Sequence, residues 1–261
     1  MTKRFVAAVV CLFIITAAPA FSQQNDDDEP LPPPHHAQVK IGGAGGFTQS
    51  ALFLNLDPIN DVLRSHGGAP LSNNPLFMMG GQGYMYVLVV QNLRLGGIGM
   101  SGSMSSRSID TSLNNLRRDV QLSAGYGGIT ADYVIPVIPR LDITVGAVLG
   151  WGNVTMRITH GQGDVAWDNL WSDFGSGTSP TIPQFTHKIT GSFFLYQPTV
   201  NVEYAVLRYL GLRVGVGYQG TAGTSWSFDD QSDSEVIGVP SGIGGKGFVI
   251  NGGIFLGTFI F

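Results

Sequence analysis

The sequence predicts an all-β fold in which eight antiparallel strands close into a barrel that crosses a membrane. Three observations indicate this fold. Apolar residues alternate with small or polar residues along several stretches, and short turns alternate with long polar connections. The chain also contains 37 glycines, and only 12% of its residues are charged. A soluble domain normally has about a quarter of its residues charged and roughly 7% glycine. Strands that face lipid on one side and a crowded lumen on the other fit the composition better.

The first 22 residues have the features of a cleaved secretory signal peptide. Lys3 and Arg4 precede an apolar run over residues 5–15, and the small residues Ala18 and Ala20 follow. The alternative is a membrane anchor, but this run is shorter than the roughly 20 apolar residues that a spanning helix needs. We therefore expect cleavage near residues 20–22 and export of the chain. The single cysteine, Cys11, lies within the signal, so we expect neither disulfide nor thiolate chemistry in the exported chain.

Residues 23–38 combine an acidic run with a proline run and cannot bury apolar surface. We expect a disordered periplasmic tether before a barrel over residues 39–261. His35 and His36 follow three aspartates, but a solvated linker is favoured over a weak metal site. Without Lys3 and Arg4, the chain has 12 basic and 18 acidic residues, a net charge of −6. This charge argues against a nucleic-acid partner.

Eight strands are predicted, and a ten-stranded barrel is the alternative. The alternation is clearest in residues 210–218, where Leu210, Leu212 and Val214 are separated by Gly211 and Arg213. It is poor in the second, third and last strands. The fourth changes phase at Gly127-Gly128, where we expect a β-bulge. The predicted strands cover residues 39–48, 76–90, 93–106, 117–135, 141–158, 187–204, 210–226 and 244–261.

The connections between these strands alternate in length. Residues 91–92, 136–140 and 205–209 form short turns on one rim. The opposite rim carries long polar connections, at residues 49–75, 107–116, 159–186 and 227–243. Short periplasmic turns and longer outer loops are typical of outer-membrane barrels.

The first long connection contains the signature of one short helix, over residues 57–66. Asp57 is a suitable cap, Pro58 suits the first helical position, and Gly67 suits a left-handed exit. We expect this helix to pack on the barrel mouth or lumen through its apolar residues, which are Ile59, Val62 and Leu63.

Six charged residues fall on the inward side of the predicted strands, all near the short-turn rim. They are Lys40, Arg94, Asp132, Asp142, Glu203 and Arg213. Charges inside an eight-stranded barrel have little water and must pair with one another. We expect an ion-pair cluster in which Asp132 and Asp142 lie nearly opposite each other across one hairpin and Arg94 neutralises them. The alternative is an ion-selective constriction.

Residues 163–174 combine carboxylates and tryptophans and are a candidate surface-recognition loop. The residues concerned are Asp164, Trp167, Asp168, Trp171 and Asp173. It could also bind calcium, or lipopolysaccharide bridged by divalent ions. This segment lacks the ordered ligand spacing of a calcium loop, so a packed outer loop is favoured over these alternatives and no metal site is predicted.

No pattern in the sequence predicts catalysis or a cofactor. His66, His160 and His187 are isolated, and none of them lies in a His-x-Ser pattern. The glycine run over residues 42–46 precedes no helix of a βαβ unit, which argues against dinucleotide binding. We therefore expect that the protein is not an enzyme and has no cofactor.

The last strand ends on an aromatic residue, Phe261, preceded by Phe255 and Phe259. This ending resembles the final strand of bacterial outer-membrane β-barrels, and the whole pattern resembles the small OmpA/OmpX/OmpW class. The resemblance implies an outer-membrane location, contacts with lipid and lipopolysaccharide, and recognition of the three phenylalanines by the barrel-assembly machinery.

The resemblance also implies a function at the level of class. We expect a structural or surface-interaction barrel whose lumen is plugged by side chains and whose outer loops are displayed for contacts. One alternative is a narrow transport barrel for small or apolar molecules, with residues 57–66 as gate or plug. The other is a secreted, soluble β-sandwich.

Overall fold

The computed structural model describes residues 42–110, 116–161, 185–228, 231–239 and 243–259. These residues form nine strands and one helix, α1. In chain order they are β1 Gly43–Leu54, α1 Asp57–Ser65, β2 Leu76–Tyr86, β3 Leu93–Asp110, β4 Leu116–Ile138, β5 Leu141–Gly161, β6 Phe185–Leu207, β7 Leu210–Phe228, β8 Gln231–Glu235 and β9 Gly247–Gly257. The part of the chain that is described contains no helix with the length and apolar character needed to cross a membrane.

Eight of the nine strands form a closed ring. Strands β1 to β7 pair antiparallel in chain order, β7 pairs with β9, and β9 pairs with β1, as in the register Ala51↔Ile250. The short strand β8 pairs only with β7, outside the ring. The ring confirms the predicted closed antiparallel barrel of eight strands, and within the ring each strand is paired on both sides.

The strands are strongly tilted, as the pairing register shows. A path of directly paired residues that leaves β3 at Leu93 passes round the ring and returns to β3 ten residues further along. Its members are Tyr133, Val145, Val200, Val216, Ile250, Ala51 and Phe77, and the neighbouring pair Met78↔Gly102 places Phe77 level with Ser103. This stagger corresponds to a tilt of roughly 40° from the barrel axis, so each residue advances about 2.5 Å along the axis.

The outer surface of the ring carries an apolar belt. On β5 the belt runs from Ile143 to Trp151, a height of about 20 Å at this tilt. Its exposed members include Phe47, Phe77, Met79, Ile129, Val145, Leu149, Val200, Val214, Val216, Ile250 and Ile254. Above the belt, strands β3 to β6 continue as a projecting sheet. Most of the outward residues there are polar, for example Ser103, Asn153 and Thr155, and Ile109 is an exposed apolar exception.

The predicted bulge in β4 is wrong. Gly127 pairs with Gly99 and Trp151, and Gly128 pairs with Ile98 and Gly150, without interruption. The apolar phase reverses for another reason. Near the short turns β4 presents Ile129 to the outside, whereas further out it presents Leu122 to the lumen. The strand keeps its register and leaves the apolar belt, so its outward side becomes polar while its inward side becomes apolar.

Several predicted boundaries also differ from the structure. Strand β1 continues to Leu54, six residues beyond the predicted end, and β2 stops at Tyr86. Strand β9 is limited to Gly247–Gly257. The strands extend further into the predicted outer loops than expected, by four residues in β3, three in β5 and two in β6, because cross-strand pairing continues beyond the clear alternation.

The helix forms where it was predicted, with two differences. Leu56, rather than Asp57, occupies the N-cap, and it makes no side-chain cap hydrogen bond. Gly67 provides the predicted left-handed exit, with φ +72°. Ile59 and Leu63 pack on the apolar cluster of the outer lumen, whereas Val62 is 48% exposed, contrary to the prediction.

Candidate functional site

The lumen near the short-turn rim contains a buried ion-pair cluster centred on Glu203. Arg94 Nη1 donates to Glu203 Oε1 over 3.0 Å, and Arg213 donates to Glu203 Oε2 from Nε at 3.0 Å and from Nη2 at 2.7 Å. Arg94, Glu203 and Arg213 are each at most 3% exposed. A carboxylate that pairs with two guanidinium groups is the arrangement that makes buried charge tolerable.

Aromatic side chains complete this cluster. Tyr84 Oη donates to Glu203 Oε1 over 3.0 Å. The Arg94 guanidinium carbon lies 3.9 Å from the centroid of the Tyr84 ring, and the Arg213 guanidinium carbon lies 4.4 Å from that of Phe255. Desolvated cation–π contacts of this kind add attraction to the ion pairs. The cluster therefore closes the inner end of the lumen by packing as well as by charge.

The structure arranges the predicted charged residues differently from the sequence-based expectation. Arg94 lies beside Asp132 in register, but its ion pair is with Glu203, across the barrel. Asp132 pairs in register with Gly146, whereas Asp142 pairs with Pro136 and Glu203. The two aspartates are therefore four residues apart rather than opposite, with Asp132 buried and Asp142 half-buried at the rim. Lys40 lies outside the described residues.

A layer of amide and hydroxyl side chains lies above the ion pairs. It encloses a small cavity of about 20 Å³. By volume, such a cavity holds about one water molecule. Five lining side chains have a buried oxygen that makes no hydrogen bond to any described residue, namely Thr48, Ser50, Thr130, Asp132 and Gln197. An unpaired buried oxygen costs about 1–3 kcal/mol, so replacing such a group by an apolar one of the same shape is expected to cost little in this layer.

The outer half of the lumen is apolar. Leu52, Leu76, Leu122 and Leu195 are at most 1% exposed, and they belong to one cluster of buried apolar side chains. The cluster extends to Ile59 of α1 and to Leu71 and Ile243 in the connections. Asn60 fixes the helix to its own connection, because its side chain accepts from Leu71 N at 2.8 Å and donates to Leu71 O at 3.2 Å.

The projecting sheet carries a group of charges on its outward face. Asp119 receives two ion pairs, from Arg107 Nε at 3.0 Å and from Arg117 Nε at 2.6 Å. Arg157 and Lys188 are paired in register on β5 and β6, beside these residues. No sequence pattern singled out this group, because its members are distant in the chain and only the outward parity of these strands brings them together.

The other predicted residues fall in different places. The candidate recognition loop, Asp164 to Asp173, and Phe261 lie outside the described residues. Phe255 points into the lumen and is fully buried, and the ring of Phe259 packs on Gly211. Within the described ranges, no group of three or more histidine, cysteine, aspartate or glutamate residues could hold a metal ion.

Sequence reasoning missed the role of Tyr84. Tyr84 points into the lumen, but the sequence did not reveal this because the glycines and methionines around it obscure the alternation of β2. The signal that could have found it is the two-residue spacing of Gln82, Tyr84 and Tyr86, three polar-tipped side chains on one face of β2.

Comparisons with known proteins give similarity at the level of shape. No protein-family model matches the chain, and no curated protein matches it. Solved structures similar to it include Ail, the attachment invasion locus protein of Yersinia pestis, at 12% identity and a TM-score of 0.36, with 83% of this chain and 97% of that chain covered. The outer membrane protease OmpT of Escherichia coli is 12% identical, with a TM-score of 0.33 and coverage of 85% and 98%. A major outer membrane protein from Thermus thermophilus is 11% identical, with a TM-score of 0.37 and coverage of 83% and 98%. The closed strand pairing, rather than these low scores, establishes the barrel.

Proposed function

We propose that this protein is an outer-membrane β-barrel with a plugged lumen and a structural or surface-interaction role. The observation that carries the proposal is the apolar belt on the outside of a closed ring. In water, so many exposed valine, leucine, isoleucine and phenylalanine side chains would drive association. In a bilayer, a band of this kind matches the hydrocarbon layer that outer-membrane barrels occupy.

The filling of the lumen supports a plugged barrel rather than a transport barrel. The ion-pair cluster fills the inner end, and the apolar cluster fills the outer half beneath α1. Between them lies a cavity with room for about one water molecule. An interior just wide enough for side chains is what eight strands provide.

Two tryptophans allow a direct test of the membrane location. Trp151 lies on the belt and is 73% exposed, whereas Trp226 faces the lumen and is 9% exposed. In vesicles that contain lipids brominated on their acyl chains, we expect strong quenching of tryptophan fluorescence. The W151F variant should lose much of that quenching, and the matched W226F variant should keep it. An equal loss of quenching in the two variants, or no quenching of the wild-type protein, would contradict a lipid-facing belt.

Planar-bilayer recordings separate the plugged barrel from the narrow transport barrel. The folded protein is first identified on a detergent gel by its changed mobility without boiling. We expect this heat-modifiable form to give no steady conductance. A stable channel would favour the alternative in which residues 57–66 act as a gate, and deleting those residues should then raise the current. Recovery of the protein in the aqueous fraction without detergent would instead support the soluble sandwich.

The assembly machinery is the remaining partner in this proposal. The aromatic residues of the last segment are its candidate recognition signal, and Phe259 is the described one whose ring stays half exposed. We expect an F259A variant to assemble more slowly in cells while refolding normally in detergent. Slow refolding in detergent as well would indicate a packing role against Gly211 instead.

A further inference from the structure

Two opposite walls of the barrel carry surfaces of opposite charge above the apolar belt. In the ring of eight strands, β3 and β7 are four positions apart, so they lie on opposite sides. The outward face of β3, β4 and β5 carries three arginines and one carboxylate, and we name it the basic wall. These residues are Arg107, Arg117, Arg157 and Asp119, and together they have a formal charge of +2. The whole chain, in contrast, has a net charge of −4.

The outward face of β7 and β8, which we name the acidic wall, has the opposite charge. Residues 229–235, after the end of β7 and in β8, contain four acidic residues and no basic one. Trp226 faces the lumen, so the next residue, Ser227, faces outward. Glu235 is paired with Ser227 in register, and it is therefore exposed on the same outward face. Opposite charges on opposite walls allow one barrel to bind the next.

Each wall also exposes an isoleucine in polar surroundings. Ile109, two residues beyond Arg107 on β3, is 58% exposed, and Ile237, two residues beyond Glu235, is 90% exposed. Val236 packs on the apolar cluster of the lumen, so its neighbours Glu235 and Ile237 face the other way. Covering an isoleucine with this exposure gains hydrophobic free energy. The two walls therefore offer apolar contact as well as charge.

The two walls lie at the same height above the belt. A path of directly paired residues leads from Ser103 on β3 to Glu235, through Ser123, Thr155, Thr190 and Ser227. The stagger of the ring raises such a path by about 3 Å at each strand, so Glu235 lies about 15 Å above Ser103. Ile109 lies about 15 Å above Ser103 as well, and Arg107 about 10 Å above it. A membrane holds neighbouring barrels upright, so surfaces at one height can meet.

The basic wall has a recess for the side chains of a partner. An open groove of about 450 Å³ crosses β3, β4 and β5, and Arg107, Asp119 and Arg157 line it. Ser105 and Gln121 supply hydrogen-bonding groups along the same groove. A carboxylate that enters this groove meets guanidinium groups, which bind carboxylates through paired hydrogen bonds.

We propose that copies of this protein associate side by side in the membrane, with the acidic wall of one barrel against the basic wall of the next. This inference rests on the proposed membrane location, because lipid keeps the copies parallel. In the contact, Glu235 lies among the arginines of the basic wall and Ile237 packs beside Ile109. The contact joins unlike surfaces on opposite sides of the ring, so it continues as a row rather than closing into a pair.

Cysteine cross-linking tests this arrangement directly. The only cysteine of the chain, Cys11, lies in the predicted signal, so single cysteines can be introduced into the barrel. The variants I109C and I237C are reconstituted in phosphatidylcholine vesicles, separately and as a mixture, and then oxidised. A disulfide forms only where two Cα atoms come within about 7 Å. We expect at least ten times more covalent dimer from the mixture than from either variant alone.

Control variants locate the contact on the molecule. F53C places an exposed cysteine on β1, midway round the ring between the two walls, and its mixture with I109C should give only background dimer. E235R in the I237C chain should lower the dimer yield at least fivefold, because it places like charges together. R157E in the I109C chain should then restore much of the yield. R208E, which reverses a charge on the short-turn rim, should restore none of it.

The outcomes separate this inference from the proposed function. Equal dimer yields from the mixture and from the single variants would overturn the inference, because like surfaces would then be in contact. A yield no higher than that of the F53C control would overturn it too. Cross-linking that appears only after lipopolysaccharide is added would assign the basic wall to a glycolipid instead, which also overturns it. Quenching of Trp151 by brominated lipid tests the membrane location in the same vesicles. A protein that shows this quenching without the selective cross-link keeps the proposed function and loses the further inference.

Discussion

Side chains alternate between the two faces of the wall without interruption from the inner half of the barrel to the outer half, but the apolar face is outside in the inner half and inside in the outer half. In the inner half of β4, Ile129 faces outward and Asp132 faces inward. In the outer half of the same strand, Gln121 faces outward and Leu122 faces inward. The backbone is continuous between them. The difference teaches that side-chain alternation reports the medium on each side of a strand, and that the medium can change along its length.

The two halves are therefore stabilised in different ways. In the outer half, water lies outside the wall, so burying leucine and methionine in the lumen gains the usual hydrophobic free energy. In the inner half, the apolar belt covers the outside, and the lumen depends on charges and polar groups that must satisfy one another. Substitutions in the two halves should differ in size and in the kind of compensation that restores stability.

The largest effect is expected for E203M in the inner half. Removal of the carboxylate leaves Arg94 and Arg213 buried without their ion pair, at a cost of about 3–5 kcal/mol. The measurement is the free energy of unfolding in urea, in detergent micelles, with the gel mobility of the unboiled protein as a second readout. The double variant E203M/R213M leaves one buried charge of each sign, Arg94 and Asp132. It should be more stable than E203M alone, and a less stable double variant would contradict the charge-balance explanation.

A somewhat smaller effect is expected for L195A in the outer half. Leu195 is fully buried in the apolar cluster, and truncation leaves a cavity that should cost about 3 kcal/mol. Unlike the charge variant, this loss should be recovered in part by a larger neighbouring side chain and not by removing a charge. The same urea titration measures it. A change below about 1 kcal/mol would show that this half is loosely packed.

The helix provides a third comparison within the outer half. Ile59 is 3% exposed and Val62 is 48% exposed on the same helix. We expect I59A to lower the free energy of unfolding by roughly 2 kcal/mol, and V62A by less than about 0.5 kcal/mol. Proteolysis of the folded protein within residues 55–75 should increase only for I59A. Equal sensitivity of the two variants would indicate that α1 does not cap the lumen.

The smallest effect on stability is expected for two threonines of the polar layer, Thr144 and Thr130. Thr144 Oγ1 accepts from Asn201 Nδ2 at 3.2 Å, whereas Thr130 Oγ1 makes no hydrogen bond to any described residue. T144V should therefore cost about 1 kcal/mol, and T130V should be neutral or stabilising. Urea unfolding of both variants in one detergent checks the difference. A destabilising T130V would show that a bound water satisfies that hydroxyl.

The ring, its strand number and the helix were predictable because each depends on local signals. Alternation in residues 210–218, the short turns and Pro58 before Gly67 all act over a few residues. The outer segments of β3 to β6 were predicted as strands, and only the ends of β3, β5 and β6, at residues 107–110, 159–161 and 185–186, were assigned to loops because they do not alternate clearly. The phase change at Gly127-Gly128 was mistaken for a bulge because the outward residues of the outer part of β4 are polar.

The partners inside the lumen were less predictable than the fold. Alternation along each strand correctly placed four charged residues on the inward face, namely Arg94, Asp132, Glu203 and Arg213. It could not show which of them form ion pairs. Their meeting depends on tilt and on the diameter of the closed ring, which places Arg94 within reach of Glu203 across the lumen. The group of charges on the outward face of the projecting sheet was missed because its residues lie on separate strands whose relative heights are set by the same stagger.

The bonds to Glu203 bear on the order of folding. Tyr84 is 119 positions from Glu203 in the chain, and Arg94 is 109 positions from it. With the bond from Arg213, these contacts connect β2 and β3 to β6 and β7. Contacts between such distant segments form slowly, since the intervening chain must first be brought together. The ion-pair cluster therefore forms late in folding, only after the sheet has curled far enough to bring β2 and β3 across the lumen from β6.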